Sequence, residues 1–118
     1  MKDPHKQGKT SRNKGANGER ELSNIFRDVY GYDTRRGMVF YHQSDVVGLP
    51  GIHIECKRVE RLNVSAAMKQ ALNEANIKRD GIPTLFHRKN REGWLVTMRL
   101  EDWMDLYGEW VCQRREDG

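Results

Sequence analysis

The run Gly48-Leu49-Pro50-Gly51 constrains this chain most, because two glycines and a proline between apolar residues interrupt an extended segment and turn it back on itself. Residues 44–57 therefore read as a hairpin. Side chains alternate along its second strand, so His53, Glu55 and Lys57 share one face while Ile52, Ile54 and Cys56 share the other. The apolar set belongs to the core. The turn brings Asp45 opposite the polar set, which holds two carboxylates and an ammonium together on a rigid strand. Neighbouring carboxylates repel, favouring proton uptake or a bound cation, and hard oxygen donors of this kind suit Mg²⁺, with Mn²⁺ as a substitute.

The surrounding pattern is that of an α/β domain. A helix starting at Asn17 or Gly18 carries Leu22, Ile25, Phe26 and Val29 at helical spacing and ends at Gly31. Glu19 lies in its first turn, off the apolar stripe, and Glu21 points away from it. Residues 32–36 read as a strand and residues 38–41 as a loop or second strand. After the hairpin, Ser65 or Asn63 caps a helix through Ala75, with Ala67, Met68, Ala71, Leu72 and Ala75 as its packing stripe. Strands over 84–88 and 94–98 are joined by a turn at 89–93. A last helix over 100–107 places Trp103, Met104, Tyr107 and Trp110 near one face, as core or dimer contacts. The architecture expected is a central mixed β-sheet flanked by helices.

Of the chain's nine glutamates only Glu55 is followed two residues later by a lysine. With Asp45 ahead of it, the segment resembles the PD-(D/E)XK nuclease superfamily, in which an acidic residue precedes a strand bearing acidic-x-Lys. Upstream, Lys14-Gly15-Ala16-Asn17-Gly18-Glu19-Arg20-Glu21-Leu22 is similar to the opening of archaeal-type Holliday-junction resolvases. The two motifs span residues 14–58, and the order of elements agrees to about residue 99. The resemblance implies a restriction-endonuclease-like core and a Mg²⁺-dependent endodeoxyribonuclease acting on branched DNA as a homodimer. It carries Glu19, Asp45 and Glu55 over as metal ligands and adds Lys57 as a catalytic residue. It also implies a basic residue at the scissile backbone, with Arg35 and Arg36 as candidates. Arg20, Lys69 and Gln70 are further candidates for contacts to DNA. Ser44 stands where the family has its proline, Cys56 where an aliphatic residue is usual, and residues 35–45 form a longer stretch than in the resolvases. A nicking, restriction-type or exonucleolytic enzyme on the same fold, or a noncatalytic DNA-binding subunit, is the alternative reading.

Charge divides the chain in two. Residues 1–14 carry Lys2, Lys6, Lys9, Arg12 and Lys14 against Asp3, and the remaining residues hold 16 basic and 16 acidic groups. The segment 1–14 is expected to be an arm, disordered on its own and drawn to phosphate through Lys9, Arg12 and Lys14; residues 15–118 form the nuclease domain. His42 and Gln43, beside Asp45, could also face DNA. At 36% hydrophobic and 32% charged residues, the chain contains no apolar run long enough to span a bilayer and no signal-peptide pattern, so a cytoplasmic location is expected. Cys56 and Cys112 are expected as free thiols. His53-Ile54-Glu55 lacks the Pro-Cys-x-x-Cys partner of zinc deaminases, and no phosphate loop or nucleophile elbow is present.

Overall fold

The computed structural model describes the backbone of residues 4–38 and 44–117 and, within these, the side chains of residues 14–38 and 44–115. Helix α1 spans Pro4–Tyr30. It begins well before Asn17 or Gly18, so the backbone of the basic arm from Pro4 onward is the first part of this helix and not a separate coil. Proline is tolerated in a first turn, and Lys, Gln and Arg are adequate helix formers that extend an existing helix at one hydrogen bond per residue. Gly31 ends α1 at φ +76°, its N–H bonded to the Arg27 carbonyl at 2.9 Å.

Five strands follow: β1 (Arg35–Arg36), β2 (Val46–Val47), β3 (Ile52–Arg58), β4 (Ile82–Arg88) and β5 (Leu95–Thr97), lying side by side in that order. All neighbours are antiparallel except β3 and β4, which run parallel with Glu55 opposite Leu85. A parallel pair needs a crossover, and helix α2 (Val64–Lys78) supplies it. Of the two candidate caps, Asn63 is the one used, its side chain accepting from the Ala66 N–H at 3.0 Å. The second strand expected near residues 38–41 lies mostly outside the described residues, as do His42 and Gln43.

Helices cover both faces of the sheet. Leu22 and Phe26 of α1 pack on Ile54, Cys56 and Phe86, with Val46 completing the buried cluster. On the opposite face α2 buries Ala67, Ala71 and Ala75; alanines let its backbone approach closely. Consequently the polar face of β3 is buried as fully as the apolar one, with His53 at 0% and Glu55 at 1% exposure. Helix α3 spans Leu100–Asp117, longer than the residues 100–107 expected. Its Trp103, Met104, Tyr107 and Trp110 are about half exposed, which removes the core reading for them and leaves an uncovered aromatic face. Both cysteines are free, Cys56 buried and Cys112 exposed.

Two glycines test this arrangement in opposite directions. A methyl group at Gly15, inside α1, would meet nothing within 4 Å, so Gly15→Ala should raise stability by about 0.5–1 kcal/mol if the helix continues into the arm. At Gly81, φ is +135° and a Cβ would lie 2.5 Å from the Gly51 carbonyl, so Gly81→Ala should cost about 2 kcal/mol or more. Urea unfolding of both variants checks the pair; an unchanged or lowered midpoint for Gly15→Ala would contradict a continuous α1.

Candidate active site

Hairpin register sets the site. Val46 pairs with Ile54 across β2 and β3, and the Cys56 N–H donates to Asp45 Oδ2 at 2.8 Å. Asp45 is thus fixed to β3, although it sits at the end of a two-residue strand. Next along β3 is Glu55, and beyond it Lys57, whose Nζ lies 3.8 Å from Glu55 Oε1. Helix α1 brings in Glu19. It approaches through Gly18, where a Cβ would sit 3.0 Å from Arg58 Cβ and 3.7 Å from Cys56 Sγ. Arg36 Nε of β1 donates to Glu19 Oε2 at 2.8 Å. The Asp45, Glu55 and Lys57 of the sequence reading are therefore neighbours on one hairpin, with Glu19 and Arg36 closing one side.

The local field is negative. Burial pushes the Asp45 carboxyl above its ordinary value; the Cys56 N–H pulls it down, Glu19 pushes it up, Lys57 pulls it down and Glu74 pushes it up. Burial and the charges of Asp45, Glu19 and Glu55 likewise push the Cys56 thiol far up, so it stays protonated. For His53, burial alone would lower the pKa, but the carboxylates of Glu55 and Asp80 outweigh it and the net shift is upward.

Several residues here escaped the sequence reading. Glu74, on α2 beside the buried Ala71 and Ala75, turns its Oε2 to 3.9 Å from His53 Nε2. His53 Nδ1 lies 2.7 Å from Asp80 Oδ1 and 2.9 Å from Ser44 Oγ, and the Ser44 hydroxyl donates to Asp80. Ser44, in the place of the superfamily's proline, is thus a buried polar link. The available signals were the strand alternation, which put His53 beside Glu55, and the position of Glu74 on the flank of the alanine stripe. Glu21 faces away from Glu19, as expected, and accepts from Trp94 Nε1 at 2.8 Å and from Arg88.

Of the candidate DNA contacts, Arg36 is held by Glu19, whereas Arg35 leans on Asp33 at 3.5 Å. Arg20 bonds Asn17 at 3.1 Å and Lys14 pairs with Glu60 at 3.1 Å. Lys69 and Gln70 are exposed on α2, with Gln70 Nε2 3.4 Å from Glu74 Oε1. The side chains of Lys9 and Arg12 lie outside the described residues.

The donors fit a divalent cation. Glu55 Oε2 and His53 Nε2 are buried without a hydrogen-bond partner among the described residues, a state that costs free energy unless a water, a proton or a cation satisfies them. Among the described residues, His53, Glu55 and Glu74 are the one group of three whose ligand atoms all lie within 4.8 Å of one another. Glu19, engaged by Arg36, is not drawn into so tight a set with Asp45 and Glu55.

A mixed five-stranded sheet with helices on both faces, and an Asp followed by Glu-x-Lys on its hairpin, define the restriction-endonuclease-like class. The family model described as Phage putative PDDEXK endonuclease matches residues 10–115, and the chain belongs to that family and so to the PD-(D/E)XK superfamily. No curated protein and no solved structure gives a significant match. No described helix is long and apolar enough to cross a membrane.

The raised pKa of Asp45 fixes a pH dependence. A carboxylate whose pKa is higher folded than unfolded is penalised when charged, so without metal the domain loses stability as pH rises from the unfolded value through the folded one. Asp45→Asn keeps an oxygen for the Cys56 N–H and removes the charge. In EDTA it should unfold at a higher temperature than the parent at pH 7, with the gap closing as pH falls towards about 4. An equal or lower midpoint at pH 7 would contradict the field described here.

Proposed function

We propose that the chain is a divalent-metal-dependent endonuclease that cuts DNA, with branched DNA as its preferred substrate. The observation that carries the reading is the placement of Asp45, Glu55 and Lys57 on one hairpin, with Asp45 tied to β3 by the Cys56 N–H and Glu55 Oε1 turned towards Lys57. Asp45 and Glu55 would hold the cation, Mg²⁺ or Mn²⁺, with Glu19 joining when Arg36 releases it. Bound there, a cation supplies an activated water and charge on the leaving oxygen. Lys57 orients the water and offsets charge building on the phosphate. Arg36, once released from Glu19, would take a phosphate oxygen, for which a planar guanidinium is suited. Arg20, Arg35, Lys14, Lys69 and Gln70, together with Lys9 and Arg12 of the arm, would add backbone contacts whose strength falls with salt.

Branched substrate and homodimer go together, since paired cuts across a four-way junction need two sites related by a two-fold axis. Of the two dimer surfaces open in the sequence, the alanine stripe of α2 is spent on the sheet. The aromatic face of α3 is therefore the proposed contact. Trp103 and Tyr107 stack there with centroids 5.1 Å apart, and Val96, Met98 and Leu106 join them around a depression of about 400 Å³. A noncatalytic DNA-binding subunit is disfavoured because uncompensated carboxylates at the site would repel DNA.

Purified protein incubated with four-way, flap, linear duplex and single-stranded DNA, in Mg²⁺ or EDTA, tests the reading. Asp45→Asn and Glu55→Gln should each lower cleavage by about a thousandfold, the upper scale for losing one group that stabilises transition-state charge, with DNA binding kept. Glu19→Gln should fall less. Paired nicks on opposing junction strands and a dimer in light scattering are expected. Full Mg²⁺-dependent cutting by Asp45→Asn would overturn the metal mechanism, whereas a monomer cutting duplex as readily as junction would overturn only the branched-DNA reading.

A further inference from the structure

Glu55 faces two ways. Its Oε1 is the oxygen 3.8 Å from Lys57 Nζ, on the side of the proposed cleavage centre, while its Oε2 lies 3.8 Å from His53 Nε2. Glu74 Oε2 is 3.9 Å from the same nitrogen. Both His53 Nε2 and Glu55 Oε2 are buried and without a hydrogen-bond partner, and both side chains are essentially inaccessible to solvent, at 0% and 1%.

We propose that His53 Nε2, Glu55 Oε2 and Glu74 Oε2 form a second cation site, selective for a first-row transition-metal dication such as Mn²⁺ over Mg²⁺. It goes beyond the cleavage centre and rests on that reading only in sharing Glu55. Spacing is the first argument. Separations of 3.8 and 3.9 Å are too long for the hydrogen bonds an imidazolium would make to these carboxylates. They do match donors arranged around one ion, since ligand bonds of about 2.1 Å put neighbouring donors roughly 3–4 Å apart.

The second argument is the opposite edge of the ring. Asp80 Oδ1 lies 2.7 Å from His53 Nδ1, and Ser44 bonds both Nδ1 and Asp80. A proton on Nδ1, held by a carboxylate, leaves the Nε2 lone pair directed at Glu55 and Glu74. This is the carboxylate–histidine–metal relay that orients imidazole ligands and raises their basicity. Proton and metal are then alternative occupants of Nε2, and metal uptake displaces the proton. Donor chemistry is the third argument: one imidazole with two carboxylates favours Mn²⁺, Fe²⁺ or Zn²⁺, whereas Mg²⁺ prefers oxygen alone. Glu74 is half-buried on α2, with its other oxygen 3.4 Å from Gln70 Nε2, which leaves a way in from the surface.

Electron paramagnetic resonance of the full chain loaded with Mn²⁺, with electron spin-echo modulation to detect nitrogen at the metal, decides the matter without recourse to activity. The parent should show ¹⁴N coupling from a directly bound imidazole. His53→Gln should lose it, Glu74→Gln should weaken the nitrogen-coupled Mn²⁺, and Asp80→Asn should keep the coupling while lowering affinity by about 10–100-fold. Asp45→Asn should retain the coupled ion, which separates this site from the cleavage centre. Glu74, being partly exposed, provides a variant that should fold even if His53→Gln does not. Mn²⁺ bound without ¹⁴N coupling, or coupling that survives in His53→Gln, would overturn this site and leave the cleavage centre standing; no Mn²⁺ binding at all would overturn both.

Discussion

One hydrogen bond organises the site: the Cys56 N–H holds Asp45 Oδ2 at 2.8 Å. It fixes the Asp45 carboxylate, just ahead of a two-residue strand, beside Glu55. Gly48 makes the approach possible, since at φ +101° a Cβ there would lie 2.5 Å from the Asp33 carbonyl. Any other residue would push β2 away from the segment leading into β1, and with it Asp45. The same β1 segment delivers Arg36 to Glu19. Strand register, turn glycine and ion pair are thus one linked geometry.

The polar face of β3 would be half solvated in an ordinary small sheet. Here Ala67, Ala71 and Ala75 let α2 come down onto the sheet, and Gly18 lets α1 close from the other face. Burial drains water from Glu55 and His53, and the protein supplies too few donors to replace it. Low solvation strengthens whatever charge does sit there. A cation-binding site explains the arrangement better than the Lys57 ion pair alone, because that pair reaches Glu55 Oε1 at 3.8 Å and leaves Oε2 without a hydrogen-bond partner among the described residues.

Much of this could be read from the residues. The hairpin around residues 48–51, the alternation along residues 52–57 and the mixed sheet follow from period-2 patterning and turn glycines, which act locally. The extent of α1 did not follow, because Lys, Gln, Ser and Asn give no apolar periodicity by which to recognise a helix. The flank of the alanine stripe marks Glu74 as facing the sheet, but its link and that of Asp80 to His53 depend on how α2 crosses between parallel strands, which is a tertiary fact. In the sequence Ser44 is only a departure from the superfamily pattern, yet in the fold it is buried and ties His53 to Asp80. The aromatic residues of α3 have helical spacing whether they face a core or a partner, and only the fold shows them exposed.

The central claim is that Glu55, the buried carboxylate of β3, helps to hold a divalent cation. Thermal unfolding followed by circular dichroism, with MgCl₂ or MnCl₂ titrated against EDTA, measures this directly. A ligand bound only by the folded state adds about 2.7 kcal/mol at a hundred times its Kd. The account predicts a midpoint that climbs with metal for the parent chain and much less for Glu55→Gln, which loses the shared ligand. A midpoint indifferent to both metals, or one that climbs equally in Glu55→Gln, would contradict it.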